Sequence, residues 1–174
     1  MSTKNFYPTL PILQYKKTTV AMSEVITYLQ SLEIDKQIKR ATYIIFRNES
    51  ANGNSGINNN YIGFQSDSGK WQSKYDKYFV GTCLKVENRT GKERGFLCFS
   101  KWQDSIDILT DKVKDRGMYI GGHTHFITNL PVIDKDTLAS VYLKEWVTGS
   151  ANYAPKVIEV NNFVGMYNQS ENLF

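Results

Sequence analysis

A stretch rich in asparagine and glycine divides this chain into parts with different patterns. Residues 51–60 read ANGNSGINNN, with five asparagines and two glycines. These residue types favour turns, so no helix continues through the stretch and we predict a loop there. Apolar residues before the loop recur at helical spacing, whereas residues 61–99 contain short β-rich runs separated by polar turns with glycine. The loop therefore marks the point where helices give way to strands.

The spacing of apolar residues predicts two helices before this loop. The first starts at Ser23, a good N-cap, and continues to Leu32. The second begins at Asp35 and ends with Asn48 and Glu49. Beyond residue 100 the same spacing predicts three more helices, at 102–116, from 134 or 136 to 149, and at 155–164. A loop is predicted at 121–131, between the first and second of them.

The β-rich region predicts a small antiparallel sheet with strands at 61–65, 77–87 and 94–99. Symmetric pairing about the turn at 88–93 sets Glu87 opposite Arg94 and Cys83 opposite Cys98. The two cysteines are then either a disulfide or two small half-buried residues that face each other. In this register four apolar residues share the buried face: Leu84, Val86, Leu97 and Phe99.

Size and pattern together predict one α+β domain over residues 1–174. With 174 residues, 41% of them hydrophobic, the chain can build one core and is too short for two ordinary domains. Helices, a small sheet inserted after the second helix, and helices again indicate a mainly helical lobe and a β-lobe at about 61–99, with a cleft between them.

The net charge and the lengths of the apolar runs indicate whether nucleic acid or a membrane is an expected partner. A net charge of +4 mildly favours anionic partners, but the basic residues are scattered, so nucleic acid is not expected. No run approaches the ~20 apolar residues of a membrane-spanning helix, and residues 1–11 lack the apolar centre of a secretion signal. We therefore expect no membrane partner and synthesis in the cytoplasm.

The sequence contains one pair of histidines with a spacing that occurs in metal sites. His123 and His125 are two residues apart, which on a strand would point both imidazoles the same way. No third ligand stands nearby in the sequence, so an ordinary loop is favoured over a metal centre. Neither a metal nor another cofactor is predicted.

A carboxylic acid stands where the second helix meets the loop. Glu49 follows the apolar run at 43–46. A carboxyl at such a junction is either an ordinary helix-end glutamate in water or partly desolvated, and desolvation would raise its pKa and keep it protonated, as a general acid requires. The segments 49–55 (ESANGNS) and 59–65 (NNYIGFQ) resemble the glucosaminidase family of peptidoglycan hydrolases, glycoside hydrolase family 73. Its signature is Glu-Ser-Gly-x-Gly-x-Ser followed by Asn-Asn-Leu-Phe-Gly-Ile-Lys.

Further matches to this family follow in order along the chain. The family's hairpin motif Glu-Tyr-x-Asn-Gly-Lys is matched by residues 87–92 (ENRTGK), and Phe-Arg-x-Tyr with Glu-Glu-Ser-Ile by 96–99 (FLCF) and 103–106 (QDSI). The motif Tyr-Ala-Thr-Asp-Pro-x-Tyr-Ala is similar to 146–154 (WVTGSANYA). The chain departs from the family at Trp146 and Gly149, where the family has tyrosine and aspartate, and at Leu97 and Phe99, where it has arginine and tyrosine.

The resemblance implies a lysozyme-like fold and cleavage of β-1,4 glycosidic bonds in peptidoglycan glycan strands, with Glu49 as the general acid. The resemblance makes Glu87 the candidate second carboxylate. It would act as a base on a water molecule, or it would approach the substrate only after the cleft closes. The N-acetyl group of the substrate is an alternative nucleophile, and a surface pair between Glu87 and Arg94 is a further interpretation. The candidate substrate contacts are Ser50, Asn59, Asn60, Tyr61, Gln65, Trp146 and Tyr153. For the three aromatic residues among them, a place in the core is the alternative.

Other outcomes stay open at this point. The chain could instead be a lytic transglycosylase, because the motif of those enzymes also begins with Glu-Ser, as residues 49–50 do here. A non-catalytic glycan-binding or structural component of a phage particle or secretion apparatus would keep the fold without turnover, with other virion or secretion-machine proteins as partners. A hydrolase of this kind would reach the cell wall after lysis, by phage delivery or by non-classical export.

Overall fold

The computed structural model describes residues 3–4, 10–66, 71–87, 90–116, 118–120, 123–125 and 165–174. These residues form a mixture of helices and short antiparallel strands, so the chain is α+β as predicted. The chain divides into two compact units. The first consists of Met1–Val25 and Phe46–Ile108, and the second of Ile26–Ile45 and Leu109–Phe174.

Three helices agree with the predicted periodicity. They are α1 (Met22–Ser31), α2 (Lys36–Glu49) and α3 (Gln103–Arg116). The carboxylate of Asp35 accepts a hydrogen bond from the backbone N–H of Gln37 at 2.7 Å, which is the contact of an N-cap and explains why α2 begins there. Residues 165–171 are also helical. The helices predicted at 134–149 and 155–164 lie outside the described residues.

Within the described ranges, short strands form four antiparallel pairs. In chain order the strands are β1 (Thr3–Lys4), β2 (Lys17–Thr18), β3 (Gly56–Ile57), β4 (Trp71–Gln72), β5 (Phe79–Val86), β6 (Glu93–Phe99), β7 (Met118–Ile120) and β8 (His123–His125). The pairs are β1 with β4, β2 with β3, β5 with β6 and β7 with β8. The loop predicted at 121–131 is therefore wrong at residues 123–125, which belong to β8 and include both histidines.

Two of the predicted strands need correction. Residues 61–65 are not a strand, although Gln65 makes one bridge to Phe96, because the Asn60 side chain bonds the backbone amides of that segment instead. The strand predicted from Lys77 begins two residues later, because Ser73–Tyr78 form a 3₁₀ helix.

The register of the β5–β6 hairpin differs from the prediction by two residues. Cys83 pairs with Phe96, and Cys98 pairs with Gly81. The turn closes through a hydrogen bond of 2.8 Å from the amide of Glu87 to the carbonyl oxygen of Lys92, so Lys92 replaces Arg94 as the residue opposite Glu87. An even shift leaves each side chain on its predicted face.

Burial on that face is divided between the two strands. Leu97 and Phe99 on β6 are buried, as predicted. Leu84 and Val86 on β5 are 47% and 53% exposed, so their predicted burial is wrong. The apolar cluster on this face includes Leu97 and Phe99 of β6 and Phe79 at the start of β5, but not Leu84 or Val86.

The hairpin is flanked by other backbone segments on both sides. Next to β5, Leu13 donates to the carbonyl oxygen of Thr82 at 2.7 Å, and Thr82 donates to that of Pro11 at 2.9 Å. Next to β6, Leu97 donates to the carbonyl oxygen of Phe64 at 3.0 Å. Residues 11–13 and 64–66 thus extend the hairpin into a wider layer.

Apolar clusters cover both faces of this layer. The smaller cluster contains Ile57, Cys83, Phe96 and Cys98, with Leu13 against it. The larger is mainly aromatic, and in it Phe64 and Trp71 meet edge to face at 4.8 Å between ring centroids. Its buried members are Phe64, Trp71, Tyr75, Phe79, Leu97, Phe99 and Ile108. The clusters fix the segment at 57–66, which follows Glu49 in the chain.

The second unit has packing of its own. The Tyr167 hydroxyl donates to the side-chain oxygen of Gln37 at 3.0 Å, and the Tyr43 and Phe174 rings meet edge to face at 5.8 Å. No described helix combines the length and the apolar character needed to span a membrane.

Candidate active site

The asparagine loop, residues 51–60, starts from a tightly capped helix end. The hydroxyl of Ser50 is buried, donates to the carbonyl oxygen of Phe46 at 2.5 Å, and accepts from the amide of Gly53 at 2.9 Å. The backbone amide of Ser55 returns to the carbonyl oxygen of Ser50 at 2.9 Å. Ser50 therefore ends α2 and directs the chain into the loop.

Several loop residues adopt left-handed backbone angles. Ala51, Asn52, Asn58 and Asn59 have φ of 49°, 57°, 48° and 64°, and Gly53 has φ of 82°. Asparagine tolerates this region better than most residues, but alanine does so only at a cost of about 1 to 2 kcal/mol. Strained backbone of this kind concentrates at functional sites when the surrounding structure holds it in place.

The segment at 14–20 holds the loop on one side. Asn58 accepts from the amide of Lys16 at 2.7 Å and donates to the carbonyl oxygen of Gln14 at 2.9 Å. The amide of Val20 donates to the carbonyl oxygen of Gly53 at 2.9 Å. A Cβ on Gly53 would lie 2.1 Å from the carbonyl oxygen of Val20, so this approach requires glycine.

Asn60 joins the loop to β6. Its side-chain nitrogen donates to the carbonyl oxygens of Phe64 and Leu97 at 2.9 and 2.8 Å, and its side-chain oxygen accepts from the amides of Ile62 and Phe64. The residue is 1% exposed. All of its donors are in use inside the protein.

Asn59 and Tyr61 are tied to α3 through one serine. The hydroxyl of Ser105 donates to the carbonyl oxygen of Asn59 at 2.6 Å and accepts from the amide of Tyr61 at 3.2 Å. The side chain of Asn59 also donates to the carbonyl oxygens of Phe99 and Ser100. These bonds fix the position of the loop relative to the first turn of α3.

The Tyr61 ring is part of the core. It is 1% exposed and stacks on Phe46 at 5.4 Å between ring centroids. Its hydroxyl makes no well-formed hydrogen bond within the described ranges. Burial raises the pKa of Tyr61, and the neighbouring Thr18 hydroxyl partly opposes this effect. The Tyr61 ring therefore packs in the core and holds this end of the loop in place.

Glu49 remains accessible at the end of α2. Its side chain is exposed, yet the protein around it partly removes the carboxyl from water and raises the pKa. We find no hydrogen bond or ion pair of this carboxyl with the residues that the structure describes. A carboxyl that is solvent-accessible and retains its proton above its ordinary pH range is suited to donating that proton.

Glu87 lies in a separate polar cluster at the hairpin turn. Its carboxylate accepts from the Thr90 hydroxyl at 2.8 Å and from the Gln65 side chain at 3.4 Å, and lies 3.9 Å from the guanidinium of Arg94. Arg94 donates in turn to the side-chain oxygen of Gln65 at 2.7 Å. The indole of Trp71 anchors the backbone oxygen of Gln65 at 2.7 Å.

The structure thus brings the predicted site residues together in two groups. Asn59, Asn60 and Tyr61 are consecutive in the asparagine-loop region and bond to β6 and α3, and Ser50 lies at the start of the same loop. Gln65 and Glu87 form the hairpin cluster. Trp146 and Tyr153 lie outside the described residues. The roles of all these residues as acid, second carboxylate or substrate contacts stay predictions.

Two further residues emerge from the contacts. Ser105 links the loop to α3, and Arg94 holds both Gln65 and Glu87. The sequence signal for Arg94 was its opposite charge to Glu87 across a predicted hairpin, whereas Ser105 stood only within a short matched motif. No group of three or more metal-ligating side chains occurs among the described residues.

Comparison with protein-family models, with curated proteins and with solved structures found no match to this chain.

Proposed function

We propose that the chain is a peptidoglycan hydrolase with a lysozyme-like fold that cleaves β-1,4 glycosidic bonds as an N-acetylglucosaminidase. One observation carries the proposal. The segments that resemble the glucosaminidase family are far apart in sequence, yet side-chain hydrogen bonds join them. Asn60 binds Leu97 across 37 residues, and Ser105 binds Asn59 across 46 residues. Gln65, from the same matched segment as Asn59 and Asn60, also contacts Glu87, from the matched segment 87–92.

The loop backbone supports the same resemblance. The two glycines of the family's Glu-Ser-Gly-x-Gly-x-Ser signature correspond to Ala51 and Gly53. Both residues have positive φ, the conformation that favours glycine. Ala51 thus adopts the backbone conformation that glycine favours, although the signature has glycine at this position and this chain has alanine.

In this proposal Glu49 donates a proton to the leaving glycosidic oxygen. Such a donor must be protonated near neutral pH and open to the substrate. Glu49 is exposed, and desolvation raises its pKa. A nearby cation would lower the pKa and weaken the acid, but the described residues provide no ion pair to Glu49.

Glu87 acts as the second carboxylate and is held by Gln65, Thr90 and Arg94. As a base it would activate a water at the anomeric carbon, with inversion if the two carboxyl groups are ~6.5 to 9.5 Å apart. If the N-acetyl group of the substrate is the nucleophile instead, Glu87 stabilises charge and contributes less to the rate.

A non-catalytic glycan-binding or structural role is the second candidate, and one observation favours it. Three of the predicted substrate contacts, Ser50, Asn60 and Tyr61, are buried, and their side chains hold the loop in place. In that case the chain would act beside other virion or secretion-machine proteins, and Glu49 would have no chemical task.

Zymography and turbidity loss on purified peptidoglycan test the proposal. Wild type should clear the wall and Glu49→Gln should not, while Glu33→Gln, an equal change at an exposed glutamate, should clear as wild type does. Clearing by the Glu49 variant would remove the acid assignment. Failure of folded wild type to clear any wall tested would favour the non-catalytic role.

The products separate the remaining alternatives. Mass spectrometry of released muropeptides should show reducing N-acetylglucosamine ends. Products with 1,6-anhydro ends would instead identify a lytic transglycosylase.

A further inference from the structure

The β5–β6 hairpin contains two cysteines whose positions are related by its register. Cys83 pairs with Phe96, and Cys98 pairs with Gly81. Residues two apart on a strand project to the same face, so the two cysteines are diagonal neighbours on one face of the hairpin. Both are free thiols with no exposed surface.

The residue directly opposite Cys98 is Gly81, and Leu13 and Pro11 fill the place that a side chain at Gly81 would take. Gly81 has no side chain, and a Cβ there would lie 2.7 Å from Leu13 and from the carbonyl oxygen of Pro11. The thiols are therefore enclosed by apolar neighbours, with Ile57 and Phe96 in the same cluster. A cysteine directly across from another would compete with Leu13 for this space, whereas the diagonal arrangement does not.

The Cys98 thiol donates to the carbonyl oxygen of Phe96 at 3.9 Å, and Phe96 is the residue that pairs with Cys83. The hydrogen bond between the thiols lowers the pKa of Cys83, against the effect of burial, and it raises the pKa of Cys98 together with burial. The positive charge of Lys85 also lowers the pKa of Cys83. Cys83 is thus the more acidic member of the pair, and Cys98 retains its proton.

We propose that Cys83 and Cys98 form an oxidation site, at which a peroxide converts the two thiols into one cross-strand disulfide. The inference rests on the register of the hairpin, on the enclosure of both thiols in one apolar cluster and on the glycine opposite Cys98. It does not depend on the hydrolase proposal.

The reaction balances with hydrogen peroxide as the oxidant. The Cys83 thiolate attacks one peroxide oxygen and the O–O bond breaks. Hydroxide leaves, and Cys83 becomes a sulfenic acid. Cys98 then gives its proton to that hydroxide and attacks the Cys83 sulfur. The S–S bond forms as the S–O bond breaks, and the sulfenic hydroxyl takes a proton from solvent and leaves as water. The thiols lose two electrons in total, and the peroxide gains them.

Burial restricts which reagents reach the pair. A peroxide molecule is close to water in size and can enter during local opening of the hairpin, whereas a bulky alkylating reagent requires larger unfolding. The disulfide closes a loop of about 15 residues, which should raise Tm by roughly 5 to 10 °C in a chain of this length.

Label counting on the full chain tests the proposal. Reduced protein is treated with hydrogen peroxide while folded, then unfolded and alkylated with N-ethylmaleimide before intact mass measurement. Untreated protein should carry two labels and treated protein none, with a peptide map linking Cys83 to Cys98. The treated protein should remain monomeric and show the higher Tm until dithiothreitol reverses it. Two labels after treatment, or linkage between chains, would overturn the proposal.

Single variants test the order of events. Cys98→Ala should accumulate a sulfenic acid on Cys83 that dimedone traps, while Cys83→Ala should leave the Cys98 thiol intact under the same exposure. The reverse pattern would contradict the assignment of Cys83 as the attacking thiol. The wild-type label count still decides the main proposal if either variant fails to fold.

Discussion

The side-chain nitrogen of Asn60 donates to the carbonyl oxygen of Leu97 at 2.8 Å. This bond joins the asparagine loop to β6 across 37 residues, inside a region where Asn60 is 1% exposed. The same nitrogen also donates to Phe64, so a single amide group fixes a turn and a strand together. Its replacement is therefore a sensitive test of how the loop is held.

Asn60→Asp should destabilise the protein by about 2 to 4 kcal/mol. The aspartate keeps the size and the acceptors of asparagine but loses both donors, and it places a charge against two carbonyl oxygens. Urea unfolding measures the free energy. Asn54→Asp, an exposed position in the same loop whose side chain donates only to the carbonyl oxygen of Ala51, is the control and should change it by less than about 1 kcal/mol. Equal losses in the two variants would contradict this account.

Ala51→Gly should stabilise the protein by about 1 kcal/mol. At φ of 49° glycine escapes the steric cost that alanine incurs, and this gain exceeds the entropy lost by a more flexible unfolded chain. Thermal and urea unfolding provide the measurement. Ala41→Gly, inside α2, should have the opposite sign because glycine disfavours helices. A destabilised Ala51 variant would show that the left-handed conformation carries no strain.

The helices were predictable because each combines local signals that agree. Asp35 caps α2, the apolar spacing continues to Phe46, and residues 51–60 cannot extend the helix. The hairpin was predicted at the right place with the wrong register. Its register depends on which residues close the turn, and the bond between Glu87 and Lys92 has no distinctive sequence signal.

The candidate site was predictable only in part. Glu49 could be selected from its position between a buried helix and a loop. The buried roles of Ser50 and Asn60 could not, because they depend on partners that the fold supplies. The link between Arg94 and Gln65 spans 29 residues and requires the observed hairpin.

Glu49→Gln should raise stability at neutral pH and have little effect in acid. Burial raises the pKa of Glu49 in the folded state, so the folded protein binds the proton more tightly than the unfolded chain does. Stability consequently falls as the pH rises from the pKa of the unfolded chain through the raised pKa of the folded state, and this penalty is absent below about pH 4. Urea midpoints at pH 3.5 to 4 and at about pH 7 measure the difference.

The control for this pH dependence is Glu33→Gln. If the two variants show the same difference in urea midpoint between acid and neutral pH, Glu49 contributes no special penalty. A Glu49 variant that is less stable at neutral pH would reverse the sign and contradict the desolvation argument.

Arg94→Met should reduce turnover of peptidoglycan about tenfold or more while changing the free energy of unfolding by less than about 1 kcal/mol. The pair with Glu87 is partly exposed and 3.9 Å apart, so it adds little stability, but its loss frees Gln65 and Glu87 to move. The fall should be in kcat. Lys92→Met, at the same turn, is the control, and equal rates for both variants would leave Arg94 without a positioning role.

Residues 11–13 and 64–66 flank the hairpin, and this affects its tendency to aggregate at high protein concentration. An uncovered strand presents a row of unpaired backbone groups to which strands of other molecules can add, the first step of aggregation. The amide of Thr82 on β5 and that of Leu97 on β6 are instead bonded to the chain's own segments. Because Val80, Leu84 and Val86 leave apolar surface on β5 exposed, this cover protects the strand on which intermolecular pairing would otherwise be most favoured.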